Sequence, residues 1–192
     1  MNPIRIALAA LLLSAGTAQA QRTDNPWQLD VAAGLYSFYL PASGLHGERP
    51  ELVAQAALAK PLGPAQRFSV GLQVGFARQN YLGNALYLQL VGQFTPVLAN
   101  RIELGIGTGI GYRLGRQPEH PVRWTGGTKG KGLRGIVQVP LQLTAGYRSV
   151  YINRVEIRPY LGLQLQSLIR YAPGVPLLPA PALLLGLKIQ KP

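Results

Sequence analysis

Between Arg101 and Gly115 the chain alternates without a slip. Ile102, Leu104, Ile106, Thr108, Ile110, Tyr112 and Leu114 share one face, and Glu103, Gly105, Gly107, Gly109, Gly111 and Arg113 share the other. A period of two belongs to a β-strand with one greasy face. The run exceeds the ~5–6 residues usual in soluble domains and meets the ~9–11 that a tilted strand needs to cross a bilayer. Its second face is largely glycine, a poor exterior for a soluble sheet but one that leaves room inside a narrow barrel. The segment predicts one wall of a membrane β-barrel.

The N-terminus points to export. Arg5 supplies a positive start, Ile6 to Leu13 a short apolar core and Ala18-Gln19-Ala20 a small-x-small cleavage site, so residues 1–20 read as a signal peptide removed after Ala20. The apolar core is about half the ~20 residues that a spanning helix requires. The chain has no cysteine, which excludes a disulfide framework and a lipidated cysteine at the cleavage site. No later segment offers 18 uninterrupted apolar residues; the nearest, from Leu177 to Leu187, is broken by proline. The reading is therefore not that of a helical membrane protein.

Residues 21–192 are of single-domain size. The full chain is 47% hydrophobic and 14% charged, so its apolar material is ample for a core yet distributed in stripes. Arg5 contributes one of its +12 formal charges, leaving +11 on the mature chain. Such a balance favours anionic surroundings. An exported chain without a nucleic-acid motif makes the phosphates of lipopolysaccharide a better match than nucleic acid.

The alternating pattern predicts eight strands: Trp27–Leu40, about Glu51–Lys60, Phe68–Gln79, about Ala85–Val97, Arg101–Gly115, about Gly135–Arg148, Val155–Tyr171 and about Ala180–Gln190. With the mature N-terminus periplasmic, Pro61–Arg67, Ala99-Asn100 and Ser149–Arg154 become periplasmic turns. Pro41–Pro50, Asn80–Asn84, Arg116–Leu133 and Ala172–Pro179 become external loops, on the whole longer, as expected of outer-membrane barrels. Strand parity turns Trp27, Phe68, Phe94 and Tyr147 outward at periplasmic ends, and Tyr39, Phe76, Tyr112 and Tyr171 outward at external ends. These are two aromatic girdles. Pro96, Pro140 and Pro159 fall within predicted strands, where each removes a ladder donor, and imply bulges or shifted strand limits.

On the signal at residues 1–20 and the patterned strands Ile102–Tyr112 and Phe68–Ala77, the chain resembles the small bacterial outer-membrane β-barrels, the OmpA/OmpX-like or porin-like β-barrel domain families. The resemblance is architectural rather than motif-specific and covers residues 21–192. It implies an all-β, eight-stranded antiparallel up-and-down transmembrane barrel in the bacterial outer membrane, inserted by the barrel-assembly machinery as a monomer.

The inward rows carry Asp30, Glu103 and Glu156 with Arg113, Arg148, Arg158, Arg170 and Lys188. An eight-stranded barrel is only wide enough for its side chains to fill it, so Asp30, Glu103, Glu156, Arg113, Arg158 and Lys188 are expected to pair with one another and with Gln73, Gln89, Gln138 and Gln164. A proton or ion pathway would leave the same mark. The third external loop is basic through Arg116, Arg123, Lys129 and Lys131, with Arg134 just after it. Arg123, Lys129, Lys131 and Arg134 are the expected contacts to lipid headgroups, beside Trp124.

Catalytic machinery is missing from this reading. His46 and His120 both fall in predicted external loops, and neither has a serine or carboxylate arranged on a neighbouring strand; the Glu48 near His46 reads as an exposed polar group. The glycine-lysine run Gly126–Gly132 lacks the spacing of a phosphate-binding loop and a following helix. No cofactor or metal is expected. The expected function is a non-enzymatic, solute-closed barrel with a structural or surface-binding role. A narrow pore for ions or small solutes is the alternative, and a lipid-modifying enzyme comes third.

Overall fold

The computed structural model describes residues 27–39, 46–63, 65–78, 83–98, 101–116, 133–147, 150–152, 155–172 and 175–190. Ten strands run in order: β1 (Gln28–Tyr39), β2 (His46–Leu62), β3 (Phe68–Ala77), β4 (Ala85–Phe94), β5 (Val97–Leu98), β6 (Ile102–Arg116), β7 (Leu133–Tyr147), β8 (Val150–Ile152), β9 (Val155–Ala172) and β10 (Val175–Gln190). Each of the eight long strands pairs antiparallel with its long neighbours. The pairing of β10 with both β9 and β1 closes the sheet, while β5 and β8 are short extensions at the rim. The result is a closed eight-stranded up-and-down barrel.

The stagger can be read by following paired residues once around the wall. Lys188 faces Asp30, then Ala57, Gln73, Gln89, Gly111, Gln138, Leu168 and finally Leu178, ten residues from the start on the same strand. An even stagger is what lets an inward row meet an inward row on closure. Ten residues at ~3.3 Å against eight strands ~4.8 Å apart tilt the strands by about 40° and set a backbone radius of about 8 Å. Side chains fill so narrow a bore.

Parity separates the two surfaces cleanly. In β4, Ala85, Tyr87, Gln89, Val91 and Gln93 are buried, while Leu86, Leu88, Leu90 and Phe94 are exposed. On the outside Leu72, Leu90, Ile106 and Leu163 each expose about half of their surface, and comparable leucines, valines and isoleucines continue around the wall. An apolar exterior wrapped around a polar interior inverts the arrangement of a soluble domain and suits hydrocarbon.

Two predicted loops shrink. β2 begins at His46, within the predicted loop 41–50, and β10 begins at Val175, within the predicted loop 172–179. Pro179 and Pro181 join a strand because they pair with β9 where β10 has no β1 partner among the described residues, an edge position that tolerates proline.

The other prolines mark pauses in ladders. Pro96 separates β4 from β5. Pro140 interrupts β6–β7 pairing opposite Gly109 and Ile110 without shifting the register, and the Thr108 hydroxyl donates to its carbonyl at 3.0 Å. Pro159 sits between the ends of the β7 and β8 ladders.

Two predicted orientations are overturned. Opposite Pro176 the register of β9 slips, because Ala172 faces Val175 but Ile169 faces Leu177, and Arg170 takes the left-handed φ of 53°. This bulge inserts one residue and reverses the parity beyond it. Tyr171 therefore packs against the buried Ile136, Leu168 and Leu178 instead of facing lipid. Arg170, predicted inward, is exposed.

Candidate functional site: the filled lumen

The bore holds two kinds of polar cluster, whose side chains strand parity turns inward. Near the end that carries the chain termini, Arg158 of β9 is buried and gathers four partners. Its Nη1 donates to Glu103 Oε1 at 3.3 Å, its Nη2 to Gln28 Oε1 at 3.2 Å and to Gln190 Oε1, and its Nε lies 3.7 Å from Glu156 Oε1. These partners sit on β6, β1, β10 and β9. One guanidinium thus ties strands on both sides of its own, and its planar fork of five donors suits it to that task.

A second cation lies nearby. Lys188 is buried, donates to Gln93 Oε1 at 3.2 Å and stands 5.5 Å from the centre of the Tyr160 ring. Tyr160 in turn donates to Asp30 Oδ1 at 2.7 Å. The aromatic face and the Gln93 amide are the polar contacts of this buried lysine.

Toward the middle the lining becomes neutral amide. Gln138 donates to Gln89 at 2.8 Å and Gln142 to Gln73 at 2.9 Å, while Tyr36 donates to Gln166 at 2.7 Å and Tyr87 to Gln55 at 2.9 Å. Gln93 donates to Thr144 at 3.1 Å. Gln164 is fully buried among these groups, and neither of its amide atoms has a hydrogen-bond partner among the described residues. At the opposite end Arg113 is 1% exposed and donates to the Gly83 carbonyl at 3.3 Å.

Glycines make these spans possible. A Cβ on Gly75 would fall within the Tyr87 ring, so the ring lies flat across β3 and reaches Gln55 on β2. Gly186 plays the same part beneath Tyr160, whose hydroxyl passes over β10 to Asp30 on β1. Gly75 and Gly186 make room for aromatic rings, whereas Gly105 and Gly111 of β6 make room for Thr144, Gln93 and Gln89.

Of the six predicted lumen residues, the structure gathers Glu103, Glu156 and Arg158 into one cluster and sets Asp30 and Lys188 around Tyr160. Arg113 stands apart near the far rim. These six residues, three carboxylates and three cations, balance in formal charge. The amides of Gln28 and Gln190, which complete the Arg158 cluster, were not assigned a role from sequence. Their inward parity was the available signal.

Among the aromatics, Trp27, Phe68, Phe94, Phe76, Tyr112 and Tyr147 are exposed on the outer wall. Lys60 Nζ stands 5.4 Å from the centre of the Trp27 ring, and Phe68 and Phe94 lie 5.6 Å apart. The side chains of Tyr39 and Arg148 lie outside the described residues, as do residues 1–26 with the predicted signal, and Arg123, Lys129 and Lys131 in the basic loop. Arg134 is described, at the rim of the barrel. It pairs with the inward-facing Gly115, and its Nη2 donates to the Arg170 carbonyl at 3.1 Å, at the mouth of the lumen.

No family sequence model matches the chain, and no curated protein is similar to it in sequence. Solved structures are similar in fold. The crystal structure of the N-terminal β-barrel domain of Pseudomonas aeruginosa OprF matches with a TM-score of 0.51 at 8% identity, covering 86% of this chain and 96% of that one. The crystal structure of Neisserial surface protein A, NspA, matches with a TM-score of 0.53 at 6% identity, covering 85% and 96%. With its closed eight-stranded wall, the chain has the fold of the small outer-membrane β-barrels.

Proposed function

We propose that this protein is a non-enzymatic outer-membrane barrel, exported by a cleaved signal at residues 1–20, whose lumen is closed to solutes and whose exterior and loops do its work. The observation that carries the reading is the Arg158 cluster: a buried guanidinium bonded to β1, β6 and β10 fills the bore at the terminus end. Moving that group means breaking several charge-assisted bonds at once in a low-dielectric interior. The basic segment with Arg123, Lys129, Lys131 and Arg134 attracts the phosphates of lipopolysaccharide at about 1 kcal/mol per cation. The test is conductance: purified protein in planar bilayers yields no stepwise currents, whereas steady single-channel currents overturn the closed-lumen reading.

A second reading, a narrow pore for small solutes, draws on one feature. The middle of the bore is lined by neutral amides with spare hydrogen-bonding capacity, Gln164 above all. If the terminus-end plug moved, such a lining would suit water and small polar solutes, and the same bilayer recordings decide between the two.

A further inference from the structure

The outer wall carries a groove of about 680 Å³ across β2, β3, β4 and β6. Its low side is formed by Ala54 and Ala56, and its high side by Phe76, Leu86, Tyr112 and Leu114. All six face away from the lumen. The groove lies in the half of the barrel remote from the chain termini. Directly above it runs a registered row of outward residues. The Arg78 N–H donates to the Leu52 carbonyl at 2.9 Å, and the Arg116 N–H donates to the Asn84 carbonyl at 2.8 Å. Arg78 stands one residue past the Ala77–Ala85 pair, which brings it beside Asn84. The order across the wall is therefore Leu52, Arg78, Asn84, Arg116 and Leu133.

Arg78 and Arg116 are exposed, on the same face as the groove, and two residues further along their strands than Phe76 and Leu114. Their Cα atoms are two strand spacings apart, about 10 Å. Two guanidiniums at that separation, with an amide between them, present forked donors to phosphate oxygens. Below them the wall drops at once into an apolar channel.

We propose that this groove and the arginine row form a seat for a phosphorylated, multi-acyl glycolipid of the lipid A type, one acyl chain lying in the groove and its phosphates on Arg78 and Arg116. The assignment rests on the outer-membrane reading, which places this half of the barrel in the external leaflet. A paired-cation rim favours a headgroup bearing two phosphates over one bearing a single phosphate. The alanines at 54 and 56 supply the depth that an acyl chain needs, since a larger side chain there would fill the channel.

The test uses the full folded chain in detergent, with native mass spectrometry reading bound lipid after addition of lipid A, phosphatidylglycerol or phosphatidylethanolamine. Wild type retains lipid A in preference to both phospholipids. Arg78→Gln with Arg116→Gln lowers lipid A retention about tenfold or more, as does Ala54→Leu with Ala56→Leu, which leaves the cations in place. Arg67→Gln with Arg101→Gln, at the terminus end, leaves retention unchanged. Unaltered retention in either seat variant overturns the proposal, as does an equal loss in the terminus-end control or a preference for phosphatidylglycerol. A gel-mobility shift on boiling confirms that each variant is folded. Failure of wild type to fold into lipid vesicles would overturn the outer-membrane reading itself, and is thereby distinguished from failure of the seat.

Discussion

The ring of Tyr160 occupies the space that a side chain on Gly186 would need, and from that position its hydroxyl reaches Asp30 on the strand beyond. A residue with no side chain thus holds a bond between β9 and β1. Gly186→Val is expected to expel the ring and cost about 1–3 kcal/mol through overpacking, with further loss as Asp30 is left without its donor. Gly92→Ala is the contrast, because a Cβ there meets nothing closer than the Thr108 carbonyl oxygen at 3.9 Å. Urea unfolding in detergent micelles should show a lowered midpoint for the first variant and little change for the second.

Arg158→Ala takes from Glu103 the guanidinium 3.3 Å away and is expected to destabilise the barrel by about 3–5 kcal/mol, as breaking a buried pair does. Arg158→Lys should recover only part, because an ammonium cannot fork toward Gln28, Gln190 and Glu103 together. Arg158→Met combined with Glu103→Gln should recover most of it. If the single and double variants unfold at the same urea concentration, the cluster does not hold the wall together.

Lipid exposure of β6 is tested by neighbouring positions. Ile106 is 52% exposed on the outer wall, and an arginine at the midplane of that surface costs about 2–4 kcal/mol. Gly107→Ala adds an inward methyl that meets the Gly92 carbonyl oxygen at 3.3 Å and flexible Gln93 atoms at 3.5 Å, a tight but adjustable fit. Ile106→Arg should therefore reduce the heat-modifiable, folded species far more than Gly107→Ala. The reverse order would mean that this face does not meet hydrocarbon.

Sidedness follows from the two rims. Ala65 is exposed in the β2–β3 turn, and Leu133 is 82% exposed at the far end of β7. Cysteines introduced singly at these positions should differ on intact cells: an impermeant thiol reagent labels Leu133→Cys and spares Ala65→Cys until the outer membrane is opened. Labelling in the opposite sense would invert the barrel.

Sequence alone determined the strand count, the closed antiparallel class and the facing of almost every side chain, because a period of two is local and a lipid-facing wall punishes a slip at every second residue. It also placed Asp30, Glu103, Glu156, Arg158 and Lys188 in the lumen. Only the tertiary structure decided which of them meet. That depends on the ten-residue stagger of closure, which brings Arg158 beside Gln28, 130 residues away in sequence, and leaves Arg113 at the other rim. Tyr171 escaped the sequence reading for a related reason. Its direction is reversed by a bulge at Arg170 that forms against Pro176, and a bulge exists only once two strands have paired. The arginine row above the groove is likewise invisible in the chain order, since Arg78, Asn84 and Arg116 become neighbours through register alone.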